Sequence, residues 1–149
     1  MNLSSDFVDL LRSLNGAGAR YLIIGAHALA YYARPRATAD FDVWVDASPE
    51  NAARVYRALG AFGAPLDQLT PEDLLSDDLI FQIGVAPTRI DVITGIDGVT
   101  FSEAWPRRTE DLLDGTQIFI IGRDDLIKNK RAAGRRQDLA DVERLENDA

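Results

Sequence analysis

Asp40 and Asp42 stand in the run Asp-Phe-Asp-Val-Trp-Val, and Asp91 stands in Arg-Ile-Asp-Val-Ile. A carboxylate inside an apolar run is costly to bury unless a cation, a proton donor or water compensates it. From Asp40 to Asp46 the chain alternates, with Phe41, Val43 and Val45 on one face and Asp40, Asp42 and Trp44 on the other, the period-two pattern of a strand. If the strand carrying Asp91 lies beside it, the three acids converge at a sheet edge as a site for a divalent cation. Mg²⁺ takes oxygen ligands from one or two carboxylates, waters and substrate phosphates, and a pair of ions can clamp the attacking and leaving oxygens of an in-line displacement. That chemistry is phosphoryl or nucleotidyl transfer. The competing reading pairs these aspartates with Arg34, Arg36 or Arg89, or leaves them in solvent, because Asp-x-Asp alone is a common pattern.

Composition narrows the choices. A chain of 149 residues fits one domain, 1–149, with 46% hydrophobic and 27% charged residues, as in ordinary globular proteins. Cysteine is absent and His27 is the single histidine, which excludes thiolate and multi-histidine metal sites and leaves hard, oxygen-bound metals, Mg²⁺ or Mn²⁺. The net charge of −8 argues against a protein coated in nucleic acid. A local basic patch remains, with 6 of the 16 basic residues between Arg123 and Arg136. No basic segment followed by an apolar run opens the chain, and no stretch has the length of a membrane span, so a cytoplasmic location is expected.

The elements that must hold the acids follow from periodicity. Phe7, Leu10, Leu11 and Leu14 form the apolar stripe of a helix from Ser5 to about Asn15. Tyr21 to Ile24 reads as a strand, Gly25 as a tight turn and Ala26 to Tyr32 as a helix, which Arg34-Pro35 ends. Ser48 and Pro49 predict the N-cap and first turn of a helix to about Leu59. An acidic loop with a short helix covers 67–78. Leu79 to Val85 and Arg89 to Thr94 form a hairpin around Ala86-Pro87, and Asp114-Gly115 turns a second hairpin into Thr116 to Ile121. Two helices, about Asp124 to Ala133 and Arg136 to Glu146, close the chain around Gly134.

The glycine where strand becomes helix, Ile23-Ile24-Gly25-Ala26, lets a phosphate approach the backbone N–H groups of a helix N-terminus. With it, four segments fall in order: Tyr21 to Ala30, Arg36-Ala-Thr38-Ala-Asp40-Phe-Asp42-Val, Arg89-Ile-Asp91-Val-Ile, and Asp125-Leu-Ile-Lys128 with Gly134 to Val142. This order resembles the nucleotidyltransferase superfamily related to DNA polymerase β, and within it the small bacterial AbiEii-type and MNT-type toxin–antitoxin proteins. The resemblance implies an α+β fold, a mixed β-sheet with helices packed on it. It also implies transfer of a nucleoside monophosphate from an NTP such as ATP to an RNA end (tRNA among them) or a protein side chain, with a cognate toxin or antitoxin partner. A small-molecule, antibiotic acceptor and a catalytically degenerate nucleotide- or partner-binding module are the alternatives.

By the same resemblance Asp40, Asp42 and Asp91 are the metal ligands, with Asp91 also the general base. Gly25, Ala26, His27, Arg36, Lys128 and Arg135 are the nucleotide-binding candidates. The family has glycine or serine after the first glycine, where this chain has Ala26, which has no hydroxyl to offer a triphosphate; His27 could replace that donor or be structural. Lys128 or Lys130, with Arg135 and Asp138, belong to the implied site. Read as residues alone, Lys128 and Arg135 fit a solvated helix surface equally well, Arg135 and Asp138 pairing at i, i+3. Trp44 could stack on a base or pack in the core.

Overall fold

The computed structural model describes residues 3–35, 38 and 40–147. In chain order the elements are α1 (Ser5–Gly16), β1 (Tyr21–Ile23), α2 (Gly25–Tyr32), β2 (Asp40–Val45), α3 (Pro49–Phe62), β3 (Ile80–Ile83), β4 (Arg89–Ile93), α4 (Phe101–Ala104), β5 (Thr109–Leu113), β6 (Thr116–Ile120), α5 (Arg123–Ala133) and α6 (Arg136–Asn147). Two short 3-10 turns, Leu66–Gln68 and Pro71–Leu75, occupy the acidic stretch. The strands form one six-stranded mixed sheet in the order β3-β4-β2-β1-β6-β5. Its centre is decisive for the site: β2 runs antiparallel to β1 and parallel to β4, and β1 is parallel to β6.

Each helix buries the stripe that its spacing predicts. Phe7, Leu10, Leu11 and Leu14 of α1 are buried together, Phe7 stacking on Phe41 of β2 with centroids 4.5 Å apart. α1 and α3 thus cover the Phe41, Val43 and Val45 side of the sheet, leaving the aspartate side for α5 and α6. A buried leucine of this kind contributes roughly 2–5 kcal/mol, judged by truncation to alanine. Asn51 of α3 locks the strand ends: it accepts from Arg20 N at 2.7 Å and donates to the carbonyls of Arg20 (3.1 Å) and Asp46 (2.8 Å).

Two local expectations change. Ser48 holds the N-cap position of α3, but its hydroxyl donates to Asp46 Oδ2 at 3.1 Å, so Pro49 and the backbone start the helix without a side-chain cap. The segment from Phe101 to Arg107, left unassigned by periodicity, forms α4 and a 3-10 turn. A capping box between Thr100 and Glu103 starts it, a sequence signal that was present. Trp44 is 1% exposed, donates to the Thr94 carbonyl at 3.2 Å and packs edge-on against Phe101, so it is core. Among the described residues no helix is long and apolar enough to cross a membrane.

Candidate functional site

The parallel pairing of β2 with β4 sets Asp42 directly beside Asp91 and Asp40 beside Arg89. The two carboxyl groups stand side by side on neighbouring strands, close enough for their charges to oppose each other. Burial, followed by the charges of Asp91 and Asp40, pushes the Asp42 carboxyl up to about 6, while Lys130 pulls the other way. Asp91 is 7% exposed, and its Oδ1 is buried without a hydrogen-bond partner. Arg89 Nε lies 3.5 Å from that oxygen and is itself without a hydrogen-bond partner.

Gly25 fits against this pair by having no side chain. Its φ is +66°, and a Cβ there would lie 2.4 Å from Asp42 Oδ2. Gly25→Ala is therefore expected to cost about 1–2 kcal/mol from the left-handed backbone alone, and to displace the Asp42 carboxylate. Thermal denaturation would read the first effect and a perturbed Mn²⁺ titration the second; a fully stable variant with unaltered titration would contradict both.

Asp40 is not held with the other two. Its Oδ2 accepts from Arg89 Nη2 at 2.7 Å, because the register places that guanidinium opposite it. Among the described residues no three histidine, cysteine or acidic side chains are grouped as a metal site. The three acids line one cleft, Asp42 and Asp91 as a side-by-side dyad and Asp40 in an ion pair with Arg89. The residues suit a divalent cation: the donors are hard oxygens, Asp91 Oδ1 has no hydrogen-bond partner, and the absent Gly25 side chain leaves room beside Asp42.

The dyad opens into a cleft of about 690 Å³ lined by α2, β2, β3, β4 and the α5–α6 corner. Gly25, Ala26, Arg89 and Arg135 line it, as does Thr38, whose hydroxyl hydrogen-bonds locally to the main chain of Asp40. The first turn of α2 starts without a side-chain cap, so its N–H groups face no capping oxygen of the preceding residue. Arg135 is exposed, lines the cleft and donates to Asp138 from Nε at 2.7 Å as its i, i+3 partner. Burial alone would raise the Asp138 carboxyl, but the Arg135 hydrogen bond and charge, with Lys130, hold it below its ordinary value.

Lys128 lies apart from this cleft. It is exposed and lines a separate depression with Arg123, Ile127 and Arg131, whereas Lys130 reaches the cleft. Two residues along a helix turn the side chain about 200° around the axis. Lys130 is 5% exposed and binds Asp141 at 2.9 Å, with Asp138 at 3.8 Å. The signal for it was in the sequence: Lys130 follows Leu126 and Ile127 at i+4 and i+3, on the buried face. Asp125, the acid of the same motif, is held by a two-pronged pair of bonds from Arg107 at 2.9 and 3.0 Å and takes no part in the cleft.

His27 also lies apart from the cleft. Its ring sits edge-on between Phe7 (5.4 Å) and Phe41 (5.1 Å), and burial lowers its pKa. It does not line the cleft, so it fills the interface of α1 with β2 and cannot replace the missing serine. Arg36 lies outside the described residues. Gln82, which spacing did not single out, lies directly opposite Asp91 across the β3–β4 pair and lines the cleft.

No family model matches the chain, and no curated protein matches it. Solved structures do. A "putative nucleotidyltransferase" of Thermotoga maritima superposes with a TM-score of 0.59 at 11% identity, over 98% of this chain and 96% of that one. The chain has the nucleotidyltransferase fold. An antigenic nucleotidyltransferase-like protein of Paracoccidioides brasiliensis is similar as well, with a TM-score of 0.54 and 15% identity over 97% of this chain and 76% of its own. At these identities the likeness is one of fold, the polymerase β-like α+β arrangement that the order of motifs implied.

Proposed function

We propose that the chain is a divalent-metal-dependent nucleotidyltransferase that moves a nucleoside monophosphate from an NTP to an acceptor hydroxyl. The observation that carries this reading is the Asp42–Asp91 dyad, a half-buried and a buried acid side by side on parallel strands beside a helix N-terminus without a side-chain cap, within a nucleotidyltransferase fold. Asp42 and Asp91, with Asp40 once Arg89 exchanges its partner, would hold Mg²⁺ or Mn²⁺, which when bound supplies charge neutralisation and Lewis acidity at the triphosphate. The first-turn N–H groups of α2 bind phosphate oxygens, and Arg135 and Lys130 add positive charge at the cleft wall. Asp91, whose Oδ1 has no hydrogen-bond partner, accepts the acceptor's proton. The acceptor oxygen bonds to the α-phosphorus, the bond to the β-phosphate oxygen breaks, and pyrophosphate leaves.

An AbiEii-type or MNT-type setting, with an RNA or protein acceptor and a cognate partner, is the finer form of this proposal and rests on the motif order. A second reading, a binding module without turnover, is favoured by Ala26, which lines the cleft where a serine would offer its hydroxyl. Labelled NTPs with Mg²⁺ and a mixture of cellular RNA, protein and small molecules separate the two: transfer of label supports the enzyme. Intact nucleotide affinity without transfer from any NTP supports the module. Mn²⁺ at about 100 times its dissociation constant is expected to raise folding stability by about 2.7 kcal/mol. An unchanged melting temperature across a Mn²⁺ titration would remove the metal from the proposal.

A further inference from the structure

We propose that the free edge of β3 docks an extended segment of another protein, in which apolar residues alternate with lysine or arginine, as a seventh strand of the sheet. The strand order β3-β4-β2-β1-β6-β5 leaves β3 and β5 as the two edges. β5 is guarded against such pairing by Glu110 and Asp111, held by Arg108 and by the Tyr31 hydroxyl. β3, Ile-Phe-Gln-Ile, carries neither a charge nor a proline. The Thr94 amide donates to the Leu79 carbonyl at 3.1 Å, so Leu79 turns its main chain towards β4. Alternation along the antiparallel ladder turns Phe81 and Ile83 the same way and leaves the N–H and C=O groups of Ile80 and Gln82 facing outward. A groove of about 560 Å³ runs beside that edge, lined by Gln68, Leu69, Asp73 and residues 79–82.

Charge and apolar exposure define the occupant. Leu75, Ile80 and Val85 stand exposed along this one stretch of chain, Ile80 by 61% and Val85 by 77%. Between Arg57 and Arg89 the sequence has no lysine, arginine or histidine but five acids, Asp67, Glu72, Asp73, Asp77 and Asp78. All five are exposed, and among the described residues none forms an ion pair. A second copy of this chain, of net charge −8, would bring the same acids against themselves. A helix has no free main-chain groups to pair with those of Ile80 and Gln82. An extended basic segment meets each feature: its main chain continues the ladder, its apolar side chains cover Ile80 and Phe81, and the stem of a lysine or arginine crosses the groove to Asp73. Opposite charge speeds its encounter and rejects acidic competitors. Ile80 and Gln82 also line the cleft of the aspartate dyad, so the added strand lengthens one wall of the candidate site.

The test is a calorimetric titration of the whole chain with a short capped peptide of alternating lysine and valine, its glutamate–valine counterpart, and the lysine–valine peptide with a central proline. The first is expected to bind at least tenfold more tightly than either of the others. In its complex the amide protons of Ile80 and Gln82 should exchange with solvent at least tenfold more slowly, those of β5 at an unchanged rate. Ile80→Pro removes an outward N–H and spares the β3–β4 ladder, so binding should be lost. The double variant Glu72→Gln with Asp77→Asn keeps the strand intact and should weaken binding several-fold, while Glu143→Gln on α6 should leave it unchanged. Equal binding of the lysine and glutamate peptides, no binding of either, protection away from β3, or equal weakening by the double variant and Glu143→Gln would overturn the proposal. Self-association of the parent chain that Ile80→Pro or the double variant alters would overturn it too, by making a second copy the occupant. Should Ile80→Pro not fold, amide exchange and the double variant decide the matter.

Discussion

Replacing Lys130 by methionine is expected to destabilise the chain by about 3–5 kcal/mol, the cost of removing one partner from a buried ion pair. The ammonium is 5% exposed and lies 2.9 Å from Asp141, which is fully buried, and 3.8 Å from Asp138. The Gln137 amide also donates to Asp141 at 3.0 Å, but as a neutral donor it does not replace the ammonium's charge. The pair joins α5 to α6 at the corner that closes the cleft, so nucleotide affinity should fall together with stability. Denaturant unfolding would show a lower midpoint at unchanged slope. The double variant Lys130→Met with Asp141→Leu removes both charges and should recover much of the loss. A single variant within about 1 kcal/mol of the parent would show that this pair is solvated and not structural.

The opposite sign is expected at the dyad. Burial and the neighbouring charges of Asp91 and Asp40 raise the Asp42 carboxyl from 3.8 to about 6. A carboxyl whose folded pKa lies above its unfolded one binds protons better when folded, so stability rises as pH falls from about 6 towards 3.8. Above that window the ionised group imposes its full cost, on the order of 2–3 kcal/mol. Asp42→Asn removes the charge and keeps a donor for Asp91, so at pH 8 it should stabilise the chain by about that amount. The gain should vanish near pH 4. The same substitution should lower nucleotidyl transfer at least about 10²-fold, because the lost charge is the one the cation needs. In the metal-free parent, Mn²⁺ affinity should decline as pH falls through about 6, where Asp42 takes up its proton. A destabilised Asp42→Asn at pH 8 would sink the dyad as a site of stored repulsion. The gain in stability and loss of activity together would mark a functional site rather than a structural one.

Much of this was legible in the chain. Period-two alternation placed Asp40 and Asp42 on one strand face, the i, i+3, i+4 stripe gave α1, and Gly25 marked the turn into α2. These are local patterns, set by backbone geometry over a few residues, and the order of the motifs carried the fold. Legibility failed where a side chain's partner is distant in sequence. The motif order leaves Lys128 and Lys130 both open, and its Asp125 is occupied by Arg107, 18 residues earlier. His27 looked available at a helix start, but Phe7 and Phe41 enclose it.

The sequence by itself therefore determined which acids lie in strands, where the helix that could cradle phosphate begins, and that only hard donors exist for a metal. The tertiary structure alone decided how the three aspartates divide. Spacing cannot say which residue of β4 lies beside Asp42, because register is settled by the whole sheet's pattern of buried faces. That register set Asp91 against Asp42, where two like charges oppose each other, and Arg89 against Asp40, where opposite charges attract.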